Sequence, residues 1–185
     1  DVLKLKDTLN PQIFNENEEM YNDVRKIILL NAYEFIKYTK IDDLKIKDII
    51  LTGSNAGYNW NKFSDIDVHI LLDFNQISNN KEFVREFFKT KKNIWNDEKN
   101  IKIKGFDVEI YVQDINEPHT SKAIYSVLNN KWLSKPIKQM ISIDLNNIKQ
   151  KTSNIINLID EILQIKDTNK LLKYIKFLKE KIKKY

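Results

Sequence analysis

The sequence predicts an α+β fold, in which a small mixed β-sheet has helices on one face and is followed by a helical C-terminal region. Alternating apolar and polar residues in the middle of the chain indicate strands, and apolar residues at three- and four-residue steps elsewhere indicate helices. We expect a core in residues 14–118, with a helical region in residues 119–185 that packs on it. A chain of 185 residues, 42% of them hydrophobic, can bury such a core.

The composition excludes several classes of site. The chain has no cysteine, which excludes disulfides, thiolate metal sites and a cysteine nucleophile. No apolar run approaches the ~18 residues of a membrane span and no signal peptide is visible, so we expect a cytoplasmic protein. The sequence begins at Asp1 without a methionine, which leaves open whether the native chain extends before it.

The first predicted helix runs from Asn15 to about Lys40 and covers one face of the sheet. Asn15 and Glu18 resemble a capping pair at its start. Its apolar residues recur mostly at steps of three and four, and they are Met20, Val24, Ile27, Ile28, Ala32, Phe35 and Ile36.

Two predicted strands flank a loop in the middle of the chain. The apolar run 48–52 indicates a buried strand that ends at Gly53-Ser54. After ten intervening residues, Asp65 and Asp67 alternate with apolar residues on a second strand, so both carboxylates face away from the core. Their Cα atoms are expected about 6.5–7 Å apart. Such a pair can hold two hard cations, which can bind a triphosphate and stabilise an in-line attack on phosphorus.

The pattern Gly53-Ser54, ten residues, Asp65-x-Asp67 resembles the signature of the DNA polymerase β-like nucleotidyltransferase superfamily, and its minimal members in particular. The resemblance covers roughly residues 47–114. It implies a nucleotidyltransferase-like sheet and transfer of an NMP from an NTP, with ATP favoured, to an acceptor hydroxyl with release of pyrophosphate. It also implies Mg²⁺ (or Mn²⁺) as the cofactor, bound by carboxylates that include Asp65 and Asp67.

The loop after the first strand is the predicted phosphate site. In the resembled superfamily this segment begins a short helix and Gly-Ser contacts the nucleotide phosphates, which implies that role for Gly53 and Ser54. Glycine permits close backbone approach, and a serine hydroxyl with free N–H groups at a helix start suits an anion. Lys62 is a further nucleotide-binding candidate, with a merely solvated loop lysine as the alternative.

A third carboxylate is expected on a strand beside Asp65 and Asp67, because the resembled superfamily has one there. Gly105 marks a hairpin or bulge, and Asp107 and Glu109 lie on one face of the strand that follows. Glu109 lies mid-strand, where the structure gives the least reason for a charged residue. Asp107 is near the turn and could be there for turn chemistry. We therefore predict Asp65, Asp67 and Glu109 as catalytic residues and metal ligands. Asp107 stays the alternative, since Glu109 stands where many family members have Asp.

Further helices are predicted from apolar periodicity and from residues suited to helix starts. One opens at Asn79-Asn80, and the chain is expected to be helical throughout from His119. The expected starts in that last region are Thr120 or Ser121, Ser134-Lys-Pro136 and Thr168. The sequence leaves open whether the second of these helices breaks at residues 142–147. Helices after the sheet often line the nucleotide pocket in the resembled superfamily, which makes Lys122 and Tyr125 candidate pocket residues.

The charge distribution bears on the acceptor. The whole chain carries +5, whereas residues 166–185 hold eight lysines and two acidic residues, a net of +6. A near-neutral body favours a small-molecule or protein acceptor, and the lysine-rich last helix leaves RNA open unless it is a solvated face. A non-catalytic nucleotide- or RNA-binding protein of the same fold is the alternative function. Clustered carboxylates oppose that alternative, because without a cation they repel one another.

Overall fold

The computed structural model of the protein describes residues 5–138 and 145–182. The chain forms two compact units, Asp1–Gln139 and Met140–Tyr185. Within the described residues, the first unit contains a six-stranded sheet and two α-helices, and the second contains two α-helices. The predicted α+β class, with a mixed sheet followed by a helical C-terminal region, is confirmed.

The sheet places the Asp-x-Asp strand near its centre. The elements of the first unit are α1 (Asn22–Thr39), β1 (Ile46–Thr52), β2 (Ile66–Leu72), α2 (Lys81–Lys99), β3 (Lys102–Ile103), β4 (Phe106–Asp114), β5 (Ile124–Ser126) and β6 (Lys131–Ser134). Across the sheet the strand order is β3-β4-β2-β1-β5-β6. Strands β2 and β4 are parallel, and the other neighbouring pairs are antiparallel.

One face of the sheet packs against α1 and α2 and forms the main core. Burial of a large apolar side chain contributes about 1.5–3 kcal/mol. The strands and helices contribute to this core Ile49, Leu51, Ile66, Val68, Ile70, Val108, Ile110, Val24, Ile28, Phe35, Val84, Phe88 and Trp95. Because side chains alternate along a strand, Asp67 and Glu109 point to the other side, which we call the carboxylate face.

Two local predictions are confirmed by the backbone. Helix α2 begins after Asn80, whose Oδ1 accepts a hydrogen bond from the Phe83 N–H at 3.1 Å. Lys104 and Gly105 have φ values of 51° and 87° and form the two-residue turn between β3 and β4. The hairpin expected at Gly105 is therefore present.

The first helix begins later than the sequence predicted. Helix α1 starts at Asn22 rather than at Asn15. Glu18 has a φ of 61°, which interrupts a helical backbone. Asn15 Oδ1 instead accepts hydrogen bonds from the backbone N–H groups of Asn17 and Glu19. Asn15 therefore stabilises a turn ahead of the helix, and its pairing with Glu18 as a helix cap was wrong.

The prediction that the chain is helical from residue 119 is wrong for residues 119–138. Strands β5 and β6 form a hairpin at the edge of the sheet, and residues 135–138 have no regular structure. Asn130 in the connecting turn has a φ of 53°, a conformation that asparagine tolerates well. The expected helix start at Pro136 is also wrong, because residues 135–138 are not helical. Residues 139–144 lie outside the described part of the chain.

The second unit consists of α3 (Leu145–Leu163) and α4 (Thr168–Ile182). The last predicted helix is confirmed from Thr168 to Ile182, while Lys183 and Lys184 are not among the described residues. The possible break at residues 142–147 falls mostly outside them, although residues 145–147 are helical. Within the described chain, no helix combines the length and apolar character that crossing a membrane requires.

Candidate active site

The carboxylates predicted from the sequence lie close together on the carboxylate face. Asp67 in β2 is the register partner of Glu109 in β4 on one side and of Thr52 in β1 on the other. Neighbouring strands lie about 4.8 Å apart, so the Asp67 and Glu109 side chains are adjacent. Asp65 directly precedes β2, is exposed, and is close enough to Glu109 for the charge of Glu109 to raise its pKa.

Gly53 makes room for the central carboxylate. It ends β1 with a φ of +73°, a conformation that side chains disfavour. A Cβ atom at this position would lie 1.9 Å from Asp67 Oδ2, far inside van der Waals contact. Any other residue here would strain the backbone and displace the Asp67 carboxylate.

A buried asparagine fixes the loop between the two predicted motifs. Asn55 is fully buried, and its Oδ1 accepts a hydrogen bond from Asn10 Nδ2 at 2.8 Å. Its Nδ2 donates to the backbone oxygen of Asp65 at 2.9 Å. Asn55 thereby ties the loop after Gly53 to the backbone that carries Asp65. Sequence reasoning missed this residue, because one asparagine in a polar loop gives no signal of burial.

The electrostatics of the site favour a cation. Burial, and then the charges of Asp65 and Glu109, raise the pKa of Asp67 to about 6, with the Lys92 ammonium opposing the rise. Partial desolvation of this exposed residue, and then the charges of Glu109 and Asp107, also raise the pKa of Asp65. Both carboxyl groups are therefore harder to ionise than in water, and a bound cation would relieve that cost.

The geometry favours Glu109 over Asp107 as the third carboxylate. Glu109 is opposite Asp67 in the parallel register and is half-buried. Asp107 is exposed, and its Oδ1 forms an ion pair with Lys102 Nζ at 2.6 Å across the β3–β4 hairpin. Asp107 therefore already has a partner that accounts for its charge.

Sequence reasoning did not place at the site a tyrosine that contacts Glu109 and a lysine that lies over the ring of that tyrosine. The Tyr111 hydroxyl donates a hydrogen bond to Glu109 Oε2. Lys92 Nζ, from α2, lies 3.6 Å from the centre of the Tyr111 ring. Tyr111 shares the strand alternation of Glu109, so its face was predictable. The contact of Lys92 with the Tyr111 ring depends on the position of α2 at the sheet edge, and no local sequence pattern predicts that position.

His69 continues the carboxylate face next to Asp67. Its Nδ1 lies 2.9 Å from Gln113 Oε1, and its ring stacks on Tyr111 with a centre-to-centre distance of 5.0 Å. Burial, and then the charges of His119 and Lys92, outweigh the Gln113 contact and lower the pKa of His69, which favours the neutral imidazole. These contacts satisfy the His69 side chain within the protein.

The predicted phosphate residues lie in the loop next to Asp67. Ser54 is half-buried and begins a single 3₁₀ turn, Ser54–Ala56, where the resemblance implies the start of a short helix. Lys62 is exposed in the turn before Asp65, with its Nζ 4.8 Å from the centre of the Phe63 ring. Its phosphate contact stays a prediction. Tyr125, a candidate pocket residue, is instead buried in the main core.

The carboxylates of the site fit a metal ion that binds together with a nucleotide better than one that the protein holds permanently. In the described part of the chain, no three His, Asp or Glu side chains converge closely enough to hold a metal ion by themselves. Mg²⁺ is usually bound by one or two carboxylates together with substrate phosphates and water, rather than by an all-protein cage. Adjacent Asp67 and Glu109 carboxylates, with Asp65 beside them, match that requirement.

One of three comparisons with known proteins found a match. The family model described as "Nucleotidyltransferase domain" matches residues 33–131, which is more than half of the chain. That segment contains all the carboxylates and loop residues described above. Neither the comparison with curated proteins nor the comparison with solved structures found a match. On the family match, this chain belongs to the nucleotidyltransferase domain family.

Proposed function

We propose that this protein is a metal-dependent nucleotidyltransferase that moves an NMP from an NTP to an acceptor hydroxyl and releases pyrophosphate. The observation that carries the proposal is the pairing of Asp67 with Glu109 in parallel register, beside a glycine whose replacement would strain the backbone and displace the Asp67 carboxylate. A binding protein without turnover would need neither the like-charged pair nor the raised pKa values of Asp65 and Asp67. All the residues proposed to act lie within the predicted core, 14–118.

Asp65, Asp67 and Glu109 are proposed to hold Mg²⁺ or Mn²⁺. When bound, the ions would lower the pKa of the acceptor hydroxyl and neutralise charge on the triphosphate. Glu109 either orients the acceptor hydroxyl or receives its proton. The acceptor oxygen forms a bond to the α-phosphorus, and the bond from that phosphorus to the bridging oxygen of pyrophosphate breaks.

Gly53, Ser54 and Lys62 are proposed to bind the nucleotide phosphates. Gly53 has no side chain to obstruct a close approach, and the Ser54 hydroxyl follows it directly at the end of β1. Lys62 is exposed in the same loop and is long enough to turn from Phe63 to a phosphate. ATP is the proposed donor nucleotide.

The acceptor is proposed to be a small molecule or a protein. Outside residues 166–185 the chain has a net charge of −1, which does not favour a broad nucleic-acid surface. RNA stays the second candidate because α4 carries exposed lysines, among them Lys170, Lys173, Lys176 and Lys179.

Mass spectrometry of reactions with each NTP, Mg²⁺ and a panel of alcohols, proteins and RNA 3′ ends tests this proposal. We expect one acceptor class to gain the mass of a single NMP, with pyrophosphate released in equal amount. Asp67→Asn should lower the rate by at least about 100-fold, because even outer-shell partners of metal ligands contribute 10- to 100-fold. Asp97→Asn, an equivalent change on the exposed side of α2, is the control and should leave the rate unchanged.

A further inference from the structure

The Tyr111 hydroxyl makes a contact that the proposed reaction does not by itself explain. Tyr111 follows Glu109 by two residues on β4, lies on the carboxylate face and donates its hydroxyl hydrogen to Glu109 Oε2. We propose that Tyr111 is a positioning residue that fixes the Glu109 carboxylate for cation binding. We further propose that Lys92 and His69 hold the Tyr111 ring in place. The inference rests on the proposed function and names a part of the site that family membership does not assign.

Two neighbours, the cationic Lys92 and the aromatic His69, define the position of the Tyr111 ring. Lys92 Nζ lies 3.6 Å from the ring centre, within the range of a cation–π contact. The His69 ring stacks on Tyr111 at 5.0 Å with an interplanar angle of 28°. His69 is itself fixed through Nδ1 by Gln113 Oε1 at 2.9 Å. The ring is therefore restrained by residues from β2, β4 and α2.

The Lys92 side chain extends from α2 past a short edge of the sheet to Tyr111 on the carboxylate face. Strand β3 pairs only with Phe106 and Asp107, so β4 is an edge strand beyond them. Asn96 of α2 covers that edge, where its Oδ1 accepts a hydrogen bond from the Ile110 N–H at 3.3 Å. Lys92 precedes Asn96 by four residues and lies on the same side of the helix. Its side chain can therefore pass the edge of β4 and reach Tyr111.

The hydrogen bond fixes one of the two carboxylate oxygens. A phenol is protonated at neutral pH and donates one hydrogen bond, and an ionised carboxylate only accepts. With Oε2 bound to Tyr111, rotation of the Glu109 carboxylate is restricted and Oε1 is left for a cation. Outer-shell partners of metal-binding carboxylates commonly act in this way.

Tyr111→Phe removes only the hydroxyl and keeps the ring contacts with Lys92 and His69. We expect Mn²⁺ binding to the protein with a non-hydrolysable NTP analogue, measured by electron paramagnetic resonance, to weaken about 10- to 100-fold. The Mn²⁺ concentration for half-maximal turnover should rise by the same factor, and excess Mn²⁺ should restore turnover. A purely structural defect would not be corrected by metal.

Tyr38→Phe is the matched control. Tyr38 is also a half-buried tyrosine under a lysine of α2, with Lys91 Nζ 5.1 Å from its ring centre, but it packs on Trp95 in the main core. Removal of its hydroxyl should change neither Mn²⁺ binding nor turnover. A second test combines Tyr111→Phe with Glu109→Gln. If Tyr111 acts through Glu109, the double variant should bind Mn²⁺ no more weakly than Glu109→Gln alone.

The outcomes separate this inference from the proposed function. A wild-type protein that binds no Mn²⁺ with the nucleotide and transfers no NMP would overturn both. If the wild-type protein binds Mn²⁺ with the nucleotide and transfers NMP, and Tyr111→Phe binds Mn²⁺ with equal affinity, only the positioning role is overturned. Additive losses in the double variant would also overturn it, because they would show that Tyr111 acts independently of Glu109.

Discussion

Asp67 shows how much of the site a single position determines. Its backbone pairs with β1 and β4, its side chain occupies the space left by Gly53, and burial with two neighbouring carboxylates raises its pKa to about 6. The alternation of residues around Asp65 and Asp67 predicted the face on which they lie. The need for glycine at position 53 became clear only from the 1.9 Å approach, which links residues that are fourteen positions apart.

The choice between the two β4 carboxylates is tested by neutral substitutions. Glu109→Gln should lower NMP transfer by at least about 100-fold, because it removes a proposed metal ligand. Asp107→Asn should have a milder effect, because it breaks only an exposed ion pair with Lys102, worth about 1 kcal/mol or less. Turnover and thermal melting of both variants provide the measurement. A larger loss of turnover in Asp107→Asn than in Glu109→Gln would show that Asp107 is the third carboxylate.

At the scale of elements, sequence patterns predicted the long periodic segments and missed the short ones. Helix α2 and the strands β2 and β4 carry enough repeats for their periodicity to be recognised, and β1 was recognised from its continuous apolar run. Strand β5 has only three residues, Ile124–Ser126, and all three are buried, so it shows no alternation. It is stabilised by pairing with β1, which is remote in the sequence, and with β6, which follows it. Local propensity cannot encode such contacts.

The loop 53–65 is the element whose rigidity the site needs most. Asn55→Ala would leave Asn10 Nδ2 and the Asp65 carbonyl without their buried partner. We expect the free energy of unfolding to fall by about 1–3 kcal/mol and NMP transfer to fall as Asp65 loses its support. Chemical denaturation and turnover at a temperature where the variant is folded are the measurements.

Asn31→Ala is the control for this loop. Asn31 Nδ2 donates to the Ile27 carbonyl within α1, a local contact away from the carboxylates. Its replacement should leave turnover unchanged. If Asn55→Ala were destabilised but fully active when folded, the loop would not position Asp65 and its proposed supporting role would be wrong.

At the scale of the whole molecule, the uneven charge bears on the choice between the proposed acceptors. Residues 166–185 carry a net +6, while the rest of the chain carries −1. Lys173 and Lys176 are exposed on α4, and Lys183 follows the described part of that helix. RNA as the acceptor, with its phosphates bound by these lysines, would make binding depend on salt. Removing one such lysine would then lower the magnitude of the slope of log binding constant against log salt concentration by roughly 0.7–0.9.

The combined change Lys173→Gln, Lys176→Gln and Lys183→Gln tests that role. We expect neither RNA binding nor RNA labelling to change, because these lysines are expected to form a solvated face that binds no phosphate. The fold should also be retained, since surface substitutions usually alter stability by no more than about 0.5 kcal/mol. The control replaces Lys26, Lys37 and Lys40 on and next to α1, which removes the same charge from the first unit. A steep salt dependence of RNA binding that disappears only in the α4 variant would contradict this expectation and favour an RNA acceptor.

The most direct test of the central claim is the metal dependence of NMP transfer. The pairing of Asp67 with Glu109, and the raised pKa values of Asp65 and Asp67, predict a site that works only with a divalent cation. Transfer to the identified acceptor should therefore stop in EDTA and return when Mg²⁺ or Mn²⁺ is added in excess. Full NTP turnover in metal-free buffer would contradict the proposed metal-dependent transfer.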